Sequence, residues 1–374
     1  MIVGATDRPS RLAHAMALLY AIAIAYASLQ PFGDWMAPLP DTPFWPFAPW
    51  PLRATRFDVV ANILAYIPLG LFVALIPRRL TTTGAMSIAV IAGAVLSFAM
   101  ESGQWFLPPR YANLVDFLAN SAGALVGGLL GALFSRSPLR AALHEARRRL
   151  ILPGAIGDVG MALLAMWLVA QLNPAIPPFA TTFESDPLDN AASMPTQHDV
   201  AATLIEGAQS AFQLLGVGLF VALLVRERRF AGGAVLVLVG SALFIKGLAA
   251  WLLLKPAVFV AWLSPGALLG VAAGALLLLP ANLLPRPAQV AICAIALLSS
   301  LLTPLLAPDL MFAAPPLTLY SWRYGHLLNF NGLTRIVLVL WPLAASGWLF
   351  VLAGRPAWGH ADVVLPPPEP PDPL

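Results

Sequence analysis

Ten apolar stretches of membrane-crossing length constrain what this chain can fold into. A helix needs about 20 consecutive apolar residues to cross a bilayer core. Runs of that kind lie near 12–30, 58–76, 85–107, 114–134, 153–172, 201–225, 231–254, 257–280, 288–306 and 333–353. Only 10% of the 374 residues are charged and 59% are hydrophobic, whereas a soluble domain carries about 25% charge. The expected fold class is therefore all-α: a polytopic transmembrane helix bundle of about ten spans.

Arginines orient the spans. Arg8, Arg11, Arg78, Arg79, Arg136 through Arg149, Arg226 through Arg229, Arg286 and Arg355 fall on one side, which holds 14 Lys/Arg. Arg53, Arg56, Arg110, Lys255, Arg323 and Arg335 make six on the other. The positive-inside rule then places both termini in the cytoplasm. A net charge of +3 is a topology signal here, and no nucleic-acid partner is expected. Arg8, Arg11 and Ala25-Tyr26-Ala27 have the look of a cleaved signal. The apolar run to Leu29 is long for one, so the segment is read as a retained span. The single cysteine, Cys293, has no disulfide partner and reads as a packing residue.

The expected organisation is a four-helix unit over 1–134, a basic cytoplasmic loop over 135–152, a degenerate second four-helix unit over 153–280, two more spans over 281–360, and a disordered Pro-rich tail over 361–374. Long loops at 31–57, 173–200 and 307–331 face outward, and their Trp and Tyr residues suit the headgroup zone. A parallel internal repeat relates the units. Gly123, Gly127 and Gly131 match Gly266, Gly270 and Gly274, and DVVANIL at 58–64 matches DVAATLI at 199–205, aligning Asp58 with Asp199. The second copy is largely apolar where the first is polar, so the first would carry the chemistry.

That polar set is unusual. A central Asp costs about 2.5–3.5 kcal/mol on insertion scales, and ionisable residues within spans are functional candidates by default. Asp58 and Asn62 are four residues apart, Glu101 and Gln104 three, and Asp116 and Asn120 four, so each pair shares a helix face. All lie at the outer ends of spans two, three and four, with Arg110 in the turn between the last two and Arg56 close by. Gly123 and Gly127 let a neighbouring helix approach closely, while Pro68 removes a hydrogen bond and bends span two, where Asn62 can solvate the freed carbonyl. Pairs such as Glu101–Arg110 or Asp58–Arg56 would be the plain structural alternative. Lys246, alone in its span, either snorkels or pairs with Glu206. The five histidines show no metal-ligand spacing, and Asp58, Glu101 and Asp116 would suit only a hard cation. No cofactor or metal is expected, and Walker, GxSxG and HExxH motifs are absent.

At these residues the chain resembles the VanZ-like family of bacterial integral membrane proteins. The resemblance rests on Asp58-Val59-x-x-Asn62 leading to Pro68-Leu69-Gly70, on Glu101-x-x-Gln104, Arg110, and Asp116-x-x-x-Asn120-x-x-Gly123-x-x-x-Gly127, with Ser28-Leu29-Gln30-Pro31-Phe32 before them. It covers roughly residues 12–134. The family is named for a protein associated with low-level teicoplanin resistance, so the resemblance implies a cell-envelope context and names no reaction. The reading is a membrane protein whose outer-leaflet site binds a lipid headgroup or a lipid-linked cell-wall precursor. Arg110 and Arg56 would hold an anionic group, Asn62, Gln104 and Asn120 would hydrogen-bond it, and Asp58, Glu101 and Asp116 would accept from hydroxyls or amines. The alternatives are a hydrolase or transferase on a lipid-linked substrate with Glu101 or Asp116 as general base, a proton-coupled transporter, and a purely structural network.

Overall fold

The computed structural model describes residues 12–30, 32–33, 35–40, 42–49, 54–77, 81–107, 110–174, 176–180, 200–260, 262–307 and 324–355, and the side chains of all of these except 257 and 324–331. Arg8, Arg11, Pro31, Arg53, Arg78, Arg79, Asp199, Arg323 and the Pro-rich tail, all used in the expectations above, lie outside the described residues. Eleven helices run in order among the described residues: α1 (Leu12–Leu29), α2 (Arg56–Leu75), α3 (Thr82–Gln104), α4 (Leu114–Arg136), α5 (Pro138–Leu150), α6 (Gly154–Ala170), α7 (Val200–Leu224), α8 (Ala231–Leu253), α9 (Pro265–Ala281), α10 (Arg286–Leu306) and α11 (Tyr324–Ala353). Eight have the length and hydropathy to cross a bilayer, while α6 and α9 are apolar but only 17 residues long. The fold is an all-α polytopic bundle.

Three boundaries differ from the expectation. The eighth span begins at Pro265, because Pro256–Val258 form a 3-10 turn and Ser264 caps the helix through its hydroxyl. Residues 324–331, expected in a loop, are already helical, so Arg335 lies buried inside α11. The basic connection after α4 folds as α5, since Ser137 caps its start and Pro138 fits its first turn.

The chain divides into two compact units. The first comprises residues 1–173 with 252–255 and 317–337, so α6 groups with α1 in the first unit. Its core pair is α2 and α4. A Cβ on Gly123 would collide with the Ile63 carbonyl, and one on Gly127 with that of Ile67. Gly70 meets the Ala124 backbone in the same way from the other side. Small residues permit this approach, and in lipid such packing replaces the hydrophobic drive between helices. Asp158 of α6 is ion-paired with Arg147 of α5.

The second unit comprises residues 174–251, 256–316 and 338–374. Its central helix is α7, buried along most of its length and packed on α9 and α10. Gly266, Gly270 and Gly274 lie against Thr203, Gly207 and Ala211 of α7. This is the counterpart of the α2–α4 contact, with both stripes stepping down the partner helix four residues at a time. Phe220 packs on Trp341 and Trp348.

Candidate functional site

The polar residues of the first unit separate into an inner cluster and an outer set of fasteners. The inner cluster grows from the start of α4. Asn113 caps that helix, its side chain accepting from the Val115 amide at 3.0 Å. The backbone N–H of Asn113 donates to Oε2 of Glu101 at 2.8 Å. Glu101, only 3% exposed, thus takes the N–H that the third helical residue accepts in an ordinary capping box. That third residue is Asp116, and its Oδ1 receives the Asn62 amide at 2.8 Å. The two carboxylates feel each other's charge, and the positive end of the α4 dipole favours both.

One turn deeper, Asn120 donates to the Ser97 hydroxyl at 2.9 Å. Its Oδ1 is buried and, among the described residues, accepts no hydrogen bond. The Tyr66 hydroxyl is buried beside Ser97 and makes no hydrogen bond of ordinary geometry there. Both residues are at least 95% buried. An amide oxygen and a phenol are thus left with capacity to spare, at a place where an unsatisfied group costs about 1–3 kcal/mol.

The fasteners use the remaining candidates differently. Arg110 donates from Nε and Nη2 to the Gln30 carbonyl at 3.1 and 2.8 Å, and from Nη2 to that of Ala27 at 3.3 Å. A guanidinium at a helix C-terminus satisfies orphan carbonyls and complements the dipole, so Arg110 caps α1. Its partial burial pulls its pKa down from the usual guanidinium range. Gln104 reinforces the same junction, donating to the Ser28 carbonyl at 3.0 Å. Asp58 forms a capping box at the start of α2: its Oδ2 accepts from the Thr55 N–H at 2.9 Å and hydroxyl at 2.7 Å, and Thr55 accepts the Asp58 N–H at 3.2 Å. Arg56 is exposed.

The structure therefore brings together Asn62, Glu101, Asp116 and Asn120, and sets Asp58, Gln104 and Arg110 apart from them. The Glu101–Arg110 pair, offered as a structural alternative, is not made among the described residues: Glu101 accepts from the Asn113 N–H and Arg110 donates to the Gln30 and Ala27 carbonyls. Asn62 likewise serves Asp116 rather than a carbonyl freed by Pro68. Ser97, Tyr66 and Asn113 were not singled out in the sequence. Yet Ser97 precedes Glu101 by four residues and Tyr66 follows Asn62 by four, so the helical face already carried them. Trp45, from a loop expected at the interface, is 1% exposed. It donates to the Ser102 hydroxyl at 3.3 Å and packs on Phe44, Phe98 and Phe117, closing the cluster from the side.

The second unit is more polar than expected. Glu206 of α7 accepts from the Ser264 hydroxyl. Lys246, also buried, donates to the Ile176 carbonyl at 2.9 Å, and Ser300 donates to Oε1 of Gln213 at 2.6 Å. Among the described residues no three His, Cys, Asp or Glu side chains converge as a metal site. Asp58 in particular does not join Glu101 and Asp116.

No curated protein and no solved structure matches the chain. Residues 8–135 match the VanZ/LLP1 family model. That span covers α1 to α4 and every residue of the inner cluster. The chain is thus a multi-pass membrane protein whose first helices form a VanZ-like domain.

Proposed function

We propose that the VanZ-like domain binds the polar headgroup of a membrane lipid, or of a lipid-linked envelope precursor, through its donors. Arginine distribution assigns this end of the domain to the outer leaflet. The observation that carries the reading is a buried amide oxygen and a buried phenol left unpartnered close to two carboxylates. Asn120 holds an unspent amide oxygen and Tyr66 an unspent hydroxyl beside Ser97, one turn below the Glu101 and Asp116 carboxylates. Hydrogen bonds to ionised groups are worth about twice neutral ones. A headgroup ammonium or a set of sugar hydroxyls supplies the missing donors. In this reading Arg110 shapes the site by holding α1 to the α3–α4 turn, its Nε and Nη2 donating to carbonyls, and the headgroup phosphate is not assigned to it. A lipid-linked precursor in this leaflet would fit the teicoplanin context of the family's name.

Phosphatidylethanolamine and phosphatidylcholine test this directly, because both are zwitterionic and only the first has N–H donors in its headgroup. Detergent-purified protein should gain thermal stability with phosphatidylethanolamine and much less with phosphatidylcholine. Glu101→Gln, nearly isosteric and still able to accept from Asn113, should remove that difference. Equal stabilisation by the two lipids in the wild type would refute donor recognition.

A further inference from the structure

At the opposite end of the first unit, where the arginines gather, a cavity of about 140 Å³ opens between four helices. Ala74 and Pro77 at the end of α2, Ala85 at the start of α3, Ala132, Ser135 and Arg136 at the end of α4, and Arg140 in the first turn of α5 line it. A single water needs roughly 10–15 Å³ measured in this way, so a phosphate-sized group fits. The walls are polar where it matters. Arg136 donates from Nη1 to the Ala132 carbonyl at 3.0 Å, and Arg140 from Nη1 to that of Ser135 at 3.3 Å. Among the described residues those are the hydrogen bonds of the two guanidiniums, and no carboxylate pairs with either. Each keeps an Nε–Nη2 edge, the fork that matches phosphate oxygens. The N-terminus of α3 adds its positive dipole end.

Alongside the cavity, α5 has the build of an interfacial helix. Leu139 and Leu143 stand one turn apart and more than half exposed. His144, Arg148 and Arg149 are exposed on the same helix, the two arginines paired with Glu145, and the Arg147–Asp158 pair ties it to α6. A helix with an apolar edge and a basic face lies in the headgroup plane and is drawn to anionic lipid, and basic pockets between spans at that depth take anionic headgroups.

We propose that this cavity binds the phosphate of an anionic phospholipid, with Arg136 and Arg140 as its ligands and α5 lying in the same leaflet. The site is separate from the Glu101 cluster and needs no headgroup donor. The probe is phosphatidylmethanol, anionic but without a donor in its headgroup, titrated into the detergent-solubilised full chain and counted as bound adducts by native mass spectrometry. Loss of two charged hydrogen-bond donors predicts affinity lower by about tenfold or more in the Arg136→Gln/Arg140→Gln variant, with phosphatidylcholine binding unchanged. Arg228→Gln/Arg229→Gln, which removes the same charge from the second unit, should bind like the wild type. Ala85→Leu, which fills the cavity and keeps every charge, should also lose the lipid; it guards against a folding defect in the double variant. Equal affinity in wild type and in both cavity variants overturns the proposal. So does inorganic phosphate displacing the lipid at matched concentration, which would make this a free-anion site. Because phosphatidylmethanol cannot satisfy the acceptors around Glu101, failure here leaves the headgroup reading untouched, and the reverse holds.

Discussion

At the scale of single residues, a shared depth in the membrane did not mean a shared task. Asp58 and Asp116 lie in the first turns of their helices and Glu101 near the end of its own, yet Asp58 closes a capping box on α2 while Glu101 joins Asp116 at the start of α4. The difference lies in the backbone. Asp58 follows Thr55 by three residues, and that spacing closes a capping box within one turn. Glu101 is near the end of its helix, and the tight α3–α4 turn brings the free N–H of Asn113 to it. The Thr-x-x-Asp pattern at 55–58 was readable in the sequence. The Glu101 contact was not, because it depends on how the turn closes. Asp58→Ala should therefore lower stability by about 1 kcal/mol, as lost N-caps do, and leave the phosphatidylethanolamine preference intact. Thermal unfolding with and without lipid checks both halves; loss of the preference would place Asp58 back in the binding site.

Among elements, the glycine stripes decide the packing. Gly123, Gly127 and Gly131 let the α2 backbone lie against α4 with no side chain between them. The spacing of four was legible from sequence, and so was a close helix neighbour. Which helix filled that place was not, because small-residue stripes specify proximity and leave the partner open. Gly127→Leu should cost about 1–3 kcal/mol or more, since the Ile67 and Leu71 backbones leave no room to relax. Gly233→Leu is the control, because a Cβ there meets nothing within 4 Å. Thermal stability of the purified variants should fall for the first and hold for the second. Leu is the better helix former, so propensity alone would stabilise both variants; similar losses in the two would mean that close approach does not govern Gly127. The span boundaries that moved share one physical cause. Hydropathy averages over a turn, so it extended the eighth span back to residue 257, inside the Pro256–Val258 turn, and missed that α11 begins before its apolar run.

In the whole molecule, the chain combines a VanZ-like domain with a second unit of its own. The matching steps of Gly266, Gly270 and Gly274 along α7 favour a parallel duplication, as the glycine spacing suggested, and we offer it as a proposal. In the second unit Lys246 and Glu206 stood out in the sequence as candidates to pair, whereas Gln213 did not. Instead Glu206, Lys246 and Gln213 found partners in Ser264, the Ile176 carbonyl and Ser300. The second unit also leaves buried side-chain atoms unpartnered, Gln213 Nε2 and Asn282 Oδ1 among them, but in the first unit the unspent Asn120 oxygen lies one turn below the Glu101 and Asp116 carboxylates. That contrast is the central claim, and the lipids that travel with the protein test it most directly. Native mass spectrometry on protein purified with its own membrane lipids should find a donor-bearing headgroup class retained by the wild type and depleted from Glu101→Gln and Asn120→Leu, with both variants folded. Identical lipid profiles in all three would contradict the account and leave the Glu101 cluster as a fastening of helices.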